Sequence, residues 1–513
     1  MNKLNIYKQA GKMLIFTILA VLLCRFSKGY FAPVFVLVGV WCAFANKLGW
    51  ALVFFVLMPF FVVLNPGILP KENPVIGYSM RLGPLMIGLI LALRGQSRQG
   101  SHRLPFGMIV PFMLVACLSS ATGWAPQISY MKILNFLFFL LGIWYGTQNL
   151  QHRPKDVFLL RGFFLALCVF LVWGSIAVIP FPSISYATSL GYAMKEGGAE
   201  LANELYRQLQ ADGLKTLFCG VTNHSQALAP VLACVFAWVA CDMLFMERTF
   251  RKPHVALLLS TLPLLYMTRS RVALVSSLFV MVIVTFYTTQ KVPLPQAIKK
   301  KLGQGMALFG ALILIVAVVA QLRSGTMSAW LRKGEKTDID KRSWVEALTQ
   351  SRQGLMQYSL YEFRRNPLIG SGFQVAEYTR DLVKGTKGLV VSASIEKGVL
   401  PVMVLGETGV LGAACFLIFL LSFFYVCSQR GYHITITMFS VLLTTNMGEA
   451  TFFSPGGIGG IIWMLCVVGG FTLDTTILYR KNLLQQWGQM AAMEHERQMQ
   501  WAGRRRRLGL DER

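Results

Sequence analysis

The sequence predicts an all-α fold, a polytopic membrane helix bundle. The 513-residue chain is 55% hydrophobic and only 14% charged, with mean hydropathy +0.54; a soluble domain carries about a quarter charged residues. Apolar runs of about 20 residues, the length that crosses a bilayer core, recur along most of the chain. Its short connections are basic, as orientation in a membrane requires.

The first element follows Lys3, Lys8 and Lys12 as an apolar run from Met13 to Leu23. It imitates a signal peptide, but Cys24 follows Val21-Leu22-Leu23 with no small residue before it. The run therefore reads as a retained first span. Further windows centre near residues 39, 57, 87, 113, 138, 168, 231, 261, 280, 312, 413, 440 and 467. With the first, they give about 14 spans.

Arg94, Arg98 and Arg103, then Arg153 and Lys155, then Arg248, Arg251 and Lys252, then Lys291 with Lys299 to Lys301, all fall on one side. Both termini share it, and the positive excess makes it cytoplasmic. The net charge of +26 is thus an orientation signal and does not call for nucleic acid. Arg504 to Arg507 close the chain and read as an anchor beside anionic lipid headgroups. The ten cysteines lie in or beside apolar spans with no CxxC spacing. They read as small core hydrophobes, with no metal, disulfide or cofactor implied.

Everything chemically notable falls on the opposite, outer side. Between 181 and 217, Leu201, Leu205 and Leu209 run beside Glu200, Glu204 and Gln208, the pattern of a short helix lying on a membrane surface. A long polar stretch, 322–397, carries thirteen Lys/Arg against eight Asp/Glu between Arg323 and Lys397. A basic excess outside the membrane suggests an anionic partner. Within it, Val345, Leu348, Leu355, Met356, Leu360 and Phe363 suggest one or two helices before Asn366-Pro367.

Four groups could carry chemistry. Arg269 and Arg271 stand at the outer mouth of two spans, where guanidinium groups either bind phosphate oxygens in pairs or snorkel to headgroups as anchors. Arg352 precedes a turn marked by Pro367, Gly370 and Gly372, which either presents backbone N–H groups or is simple loop punctuation. Asn223-His224 stands where a span begins and either lines a glycan cavity or is a satisfied structural pair. Where the long stretch re-enters the bilayer come Glu396, Lys397 and, about two turns into a helix, Glu407. Glu396 is a candidate general base or a solvated loop carboxylate; Glu407 needs a partner or water at that depth.

Taken together, these pieces resemble the O-antigen ligase and O-antigen polymerase superfamily, with its related exopolysaccharide polymerases. The matches come in the family's order: Gly220 with Asn223-His224, then Thr268-Arg-Ser-Arg-Val-Ala, then a large outer loop. In that loop the family's arginine, short helix and Pro-Leu-x-Gly-x-Gly are met by Arg352, Pro367, Leu368, Gly370 and Gly372. The family's Glu-x-Gly-x-x-Gly is met by Glu407, Gly409 and Gly412. The resemblance covers about residues 218–425 and divides the chain into 1–217, that core, two last spans at 426–479, and a basic cytoplasmic tail at 480–513. One departure is chemical: many members carry His-Asn late in the loop, where this chain has Glu396-Lys397-Gly398.

The resemblance implies a bacterial inner-membrane glycosyltransferase that takes an undecaprenyl-diphosphate-linked glycan as donor. Arg269, Arg271 and Arg352, with Lys397, would hold the diphosphate, and Glu396 would act as base. Asn223, His224 and Glu407 would line the glycan cavity. No acidic metal cluster is visible, so metal independence is expected. The acceptor is a second lipid-linked glycan in a polymerase, or lipid A core in a ligase. Membrane lipids and components of a polysaccharide-export system are the other expected partners. A lipid-linked oligosaccharide flippase is the alternative, though it would more naturally show matched halves; a non-catalytic export subunit is another.

Overall fold

The computed structural model describes residues 3–69, 74–94, 104–148, 150–185, 218–247, 251–268, 344–375, 398–448 and 450–507, with isolated positions between 270 and 296. Among them the chain is helical, with no strand beyond an isolated antiparallel bridge of Leu64 with Thr222. Six helices are long and apolar enough to cross a membrane, and four shorter apolar helices accompany them. The expected windows near 280 and 312, and the surface helix around Leu201 to Leu209, lie outside the described residues.

The helices run in order as α1 (Lys3–Phe26), α2 (Ala32–Phe44), α3 (Leu48–Val63), α4 (Pro74–Arg94), α5 (Val110–Thr122), α6 (Pro126–Gln148) and α7 (Pro154–Ala177). Then come α8 (Ser225–Cys241) with a π-helical turn at Asp242–Glu247, α9 (Lys252–Met267), α10 (Trp344–Arg365), α11 (Leu400–Gln429) and α12 (His433–Thr445). The last, α13 (Ile458–Trp463), continues through a π-turn at Met464–Val468 into α14 (Gly469–Arg507).

Their ends alternate between two faces. At the N-terminal end, Arg153 Nη1 donates to the Asn46 carbonyl (2.7 Å), Gln151 Nε2 to the Tyr432 hydroxyl (2.5 Å) and Arg480 Nη1 to the Met246 carbonyl (2.6 Å). At the far end, Asn65 N–H bonds the Val221 carbonyl (2.8 Å) and Leu400 N–H the Asn446 carbonyl (3.2 Å). α9 finishes and α11 begins at this far end.

The described helices are apolar on the perimeter as well as in the core. α3 and the span Ala227–Glu247 are buried along their lengths. Leu37, Leu93, Leu114, Leu118, Ile418 and Leu421 are exposed on the perimeter, where lipid tails would meet them. All ten cysteines are free and eight are buried, as core hydrophobes are. The apolar row before Asn366 forms one helix, α10, which lies against α11. Gly406 permits that approach, since a Cβ there would sit 2.7 Å from the Ser359 carbonyl oxygen.

Candidate functional site at the far end of the bundle

α11 is not continuous. Gly409 adopts φ 63° and ψ −167°, a conformation open to glycine alone. An unbroken helix would bond Val410 N–H to the Gly406 carbonyl and Leu411 N–H to the Glu407 carbonyl. Instead the turn after α10 fills the gap. Val410 N–H donates to the Pro367 carbonyl (2.8 Å) and Leu411 N–H to the Leu368 carbonyl (3.2 Å). The two vacated carbonyls are taken by Ser371 N–H, on Gly406 (3.1 Å), and Gly372 N–H, on Glu407 (3.2 Å). Four backbone bonds replace two, so the N–H groups of 410 and 411 and the carbonyls of 406 and 407 are all bonded within the protein.

The clasp explains its glycines. Gly370 has φ +76°, and a Cβ there would drive into the Glu407 carbonyl; a Cβ at Gly409 would meet Leu368. Ser119, near the end of α5, locks a third element in. Its hydroxyl donates to the Glu407 carbonyl and accepts from Gly372 N–H (3.0 Å). Lys132 of α6, 4% exposed, donates from Nζ to the Gln374 carbonyl (2.9 Å).

The structure thus joins two motifs that the sequence only lists in order, Pro367 to Gly372 and Glu407 to Gly409. Glu407 is 1% exposed and lies two turns into α11. Arg352 is on α10. Gly398, next after Glu396-Lys397, packs against Leu355 and Met356 of that helix, one turn from Arg352. Arg269, Arg271, Glu396 and Lys397 lie outside the described residues. No protein-family model matches the chain, and no curated protein matches it.

Asn223 and His224 are also at the far end, on a different element. Asn223 N–H bonds the Val63 carbonyl (2.7 Å), and the His224 carbonyl accepts from Ala227 and Leu228 as α8 starts. Their described bonds run to 63–65 and to α8, not to the clasp. The His224 side chain keeps solvent contact, but the protein around it desolvates the ring and lowers its pKa from the ordinary value. Imidazole is then neutral at pH 7 and brings no charge to an anion.

Two features escaped the sequence reading. Lys132 is a lone cation in an apolar run. The other is a buried charge cluster at the N-terminal end. Arg161 of α7 donates from Nε to Asp242 Oδ1 (2.6 Å), and from Nη2 to Asp242 Oδ2 (3.2 Å) and Glu247 Oε1 (2.7 Å). In an α-helix, side chains five residues apart diverge by about 140°; the π-turn at Asp242–Glu247 brings both carboxylates to one guanidinium. His254 Nε2 meets Asp242 Oδ2 (2.9 Å), and Tyr7 OH meets His254 Nδ1 (3.1 Å). A carboxylate only accepts, so Nε2 carries the proton and Nδ1 accepts from Tyr7. The signal available in sequence was charge inside an apolar span.

Proposed function

We propose that this chain is a membrane glycosyltransferase of the polysaccharide polymerase or O-antigen ligase kind. It moves an undecaprenyl-diphosphate-linked glycan onto an acceptor hydroxyl at the outer face of a bacterial inner membrane. The clasp is the observation that carries this reading. It fixes a basic polar segment, beginning with α10, onto a broken helix at one end of the bundle. Irregular backbone at membrane depth is tolerated where it is buried in protein or lines a cavity, and broken helices in membrane proteins commonly border substrate sites. The basic short connections gather at the opposite end, which makes that end cytoplasmic and the clasp end external.

In the reaction, an acceptor hydroxyl attacks the anomeric carbon as the bond to the diphosphate oxygen breaks. Undecaprenyl diphosphate departs with the electron pair, and Glu396 takes the hydroxyl proton. Arg269, Arg271, Arg352 and Lys397 oppose the charge on the leaving group, which is the service such a transfer most needs. Glu407, Asn223 and His224 border the glycan.

The test is purified protein in liposomes with undecaprenyl-diphosphate-linked repeat units, without metal or nucleotide. Released undecaprenyl diphosphate and glycan length are followed together. Arg352→Ala should lower both by about 100-fold or more, and Arg352→Lys should restore only part, because it lacks the fork. Release that needs lipid A core marks a ligase. Lipid-linked glycan crossing the bilayer with no release would replace this reading with a flippase.

A further inference from the structure

The geometry points to a phosphate-binding subsite on α6, built from Ser129, Lys132 and Asn135 beneath the clasp, that takes the diphosphate headgroup of a polyprenyl lipid. It rests on the transferase reading for the identity of that lipid, and it adds residues that neither sequence pattern nor resemblance supplied. Lys132 lies about 9 Å along the axis from Pro126 at the far end of the bundle. Ser129 and Asn135 flank it at i−3 and i+3, neighbouring positions on a helix. All three are buried, at 0%, 4% and 4% exposure.

The Ser129 hydroxyl and the Asn135 Oδ1 are enclosed without a hydrogen-bond partner, and so is the indole N–H of Trp124 in the turn that opens α6. Buried polar atoms are nearly always bonded, so each such atom needs an explanation. Ser129 and Asn135, on either side of the buried Lys132 ammonium, share a single one, a ligand rich in acceptor oxygens. Phosphate fits, taking N–H and O–H donors together, and the Asn135 amide can turn its NH2 towards it. Ser129 also borders the clasp, with its Oγ 3.9 Å from where a Gly372 Cβ would be. On the neighbouring face of α6, Tyr130, Met131 and Leu134 are exposed. That face can lie against the tail of a lipid whose headgroup occupies the site.

Lys132 also ties the Gln374 carbonyl to α6, so a purely structural role must be separated from binding. Full-length protein in nanodiscs of neutral lipid is titrated with undecaprenyl diphosphate, and, in a second arm, with phosphatidylglycerol. Thermal midpoints are recorded for every variant. Lys132→Met should weaken undecaprenyl diphosphate at least 10-fold, and Ser129→Ala and Asn135→Leu several-fold each. The latter two should hold their midpoints, because neither touches the tie to Gln374. Equal sensitivity in the phosphatidylglycerol arm would keep the phosphate site but overturn its assignment to a polyprenyl carrier. Unchanged affinities in all three variants, or a lower midpoint for Lys132→Met with no change in affinity, would overturn the site. No step of this assay needs transfer, so binding without transfer counts against the enzyme alone. Transfer that these variants leave intact counts against the subsite alone.

Discussion

At the N-terminal end of the bundle, Arg161, Asp242, Glu247 and His254 are all buried and bond to one another through side chains. At the far end, the bonds that close the clasp are mostly backbone to backbone. Both ends bring polarity into an apolar bundle, by different means. A side-chain cluster depends on each charge finding its opposite, and removing one strands the rest. A backbone clasp depends on two chain segments approaching closely, so it depends on the absence of side chains. The first is vulnerable to loss of charge, the second to gain of bulk.

The largest test of that contrast is Arg161→Ala, which leaves Asp242 and Glu247 buried together and should cost about 3–5 kcal/mol. It is read as a lowered unfolding midpoint in detergent. Replacing the set together, as Arg161→Met with Asp242→Leu and Glu247→Leu, should recover most of the loss. Next comes Gly370→Ala, where strain at positive φ costs about 1–3 kcal/mol and the clash with Glu407 adds to it. Here transfer activity should fall with stability, while bulk added at the charge cluster has no such link. Combined with Arg161→Ala, the Gly370 change should be additive within about 0.5 kcal/mol, because the sites share no partner. A larger coupling would break the picture of two independent ends. Ser119→Ala is smaller, about 0.5–1.5 kcal/mol for each of the two bonds its hydroxyl makes, since Gly372 N–H and the Glu407 carbonyl keep their bond to each other. Smallest is Tyr7→Phe, about 0.5–1.5 kcal/mol, measured as a midpoint shift with transfer unaltered.

The helical fold class was legible because the long apolar helices announce themselves by hydropathy averaged over many residues. The glycines were legible too, since Gly370, Gly372 and Gly409 occupy positive φ and punctuate the sequence accordingly. Their meeting was not. Nothing local to 367–372 says that its carbonyls will be received by N–H groups at 410 and 411, because backbone groups are the same in every residue. Arg161, Asp242 and Lys132 escaped for the opposite reason: each is one charge inside an apolar window, and averaging erases it. The break at Gly409 was not expected, since one glycine in an apolar run reads equally well as helix packing.

The clasp also closes the base of the stretch that follows Val375 and precedes Gly398. Its two flanks are held together by the backbone pairs between 367–372 and 406–411. Whatever lies between is closed at its base, and doubling its length would add only about 0.6 kcal/mol of closure entropy. The bundle can therefore keep its architecture while 376–397 is exchanged, lengthened or shortened. A graft that left the break at Gly409 intact should leave the unfolding midpoint of the membrane part unchanged.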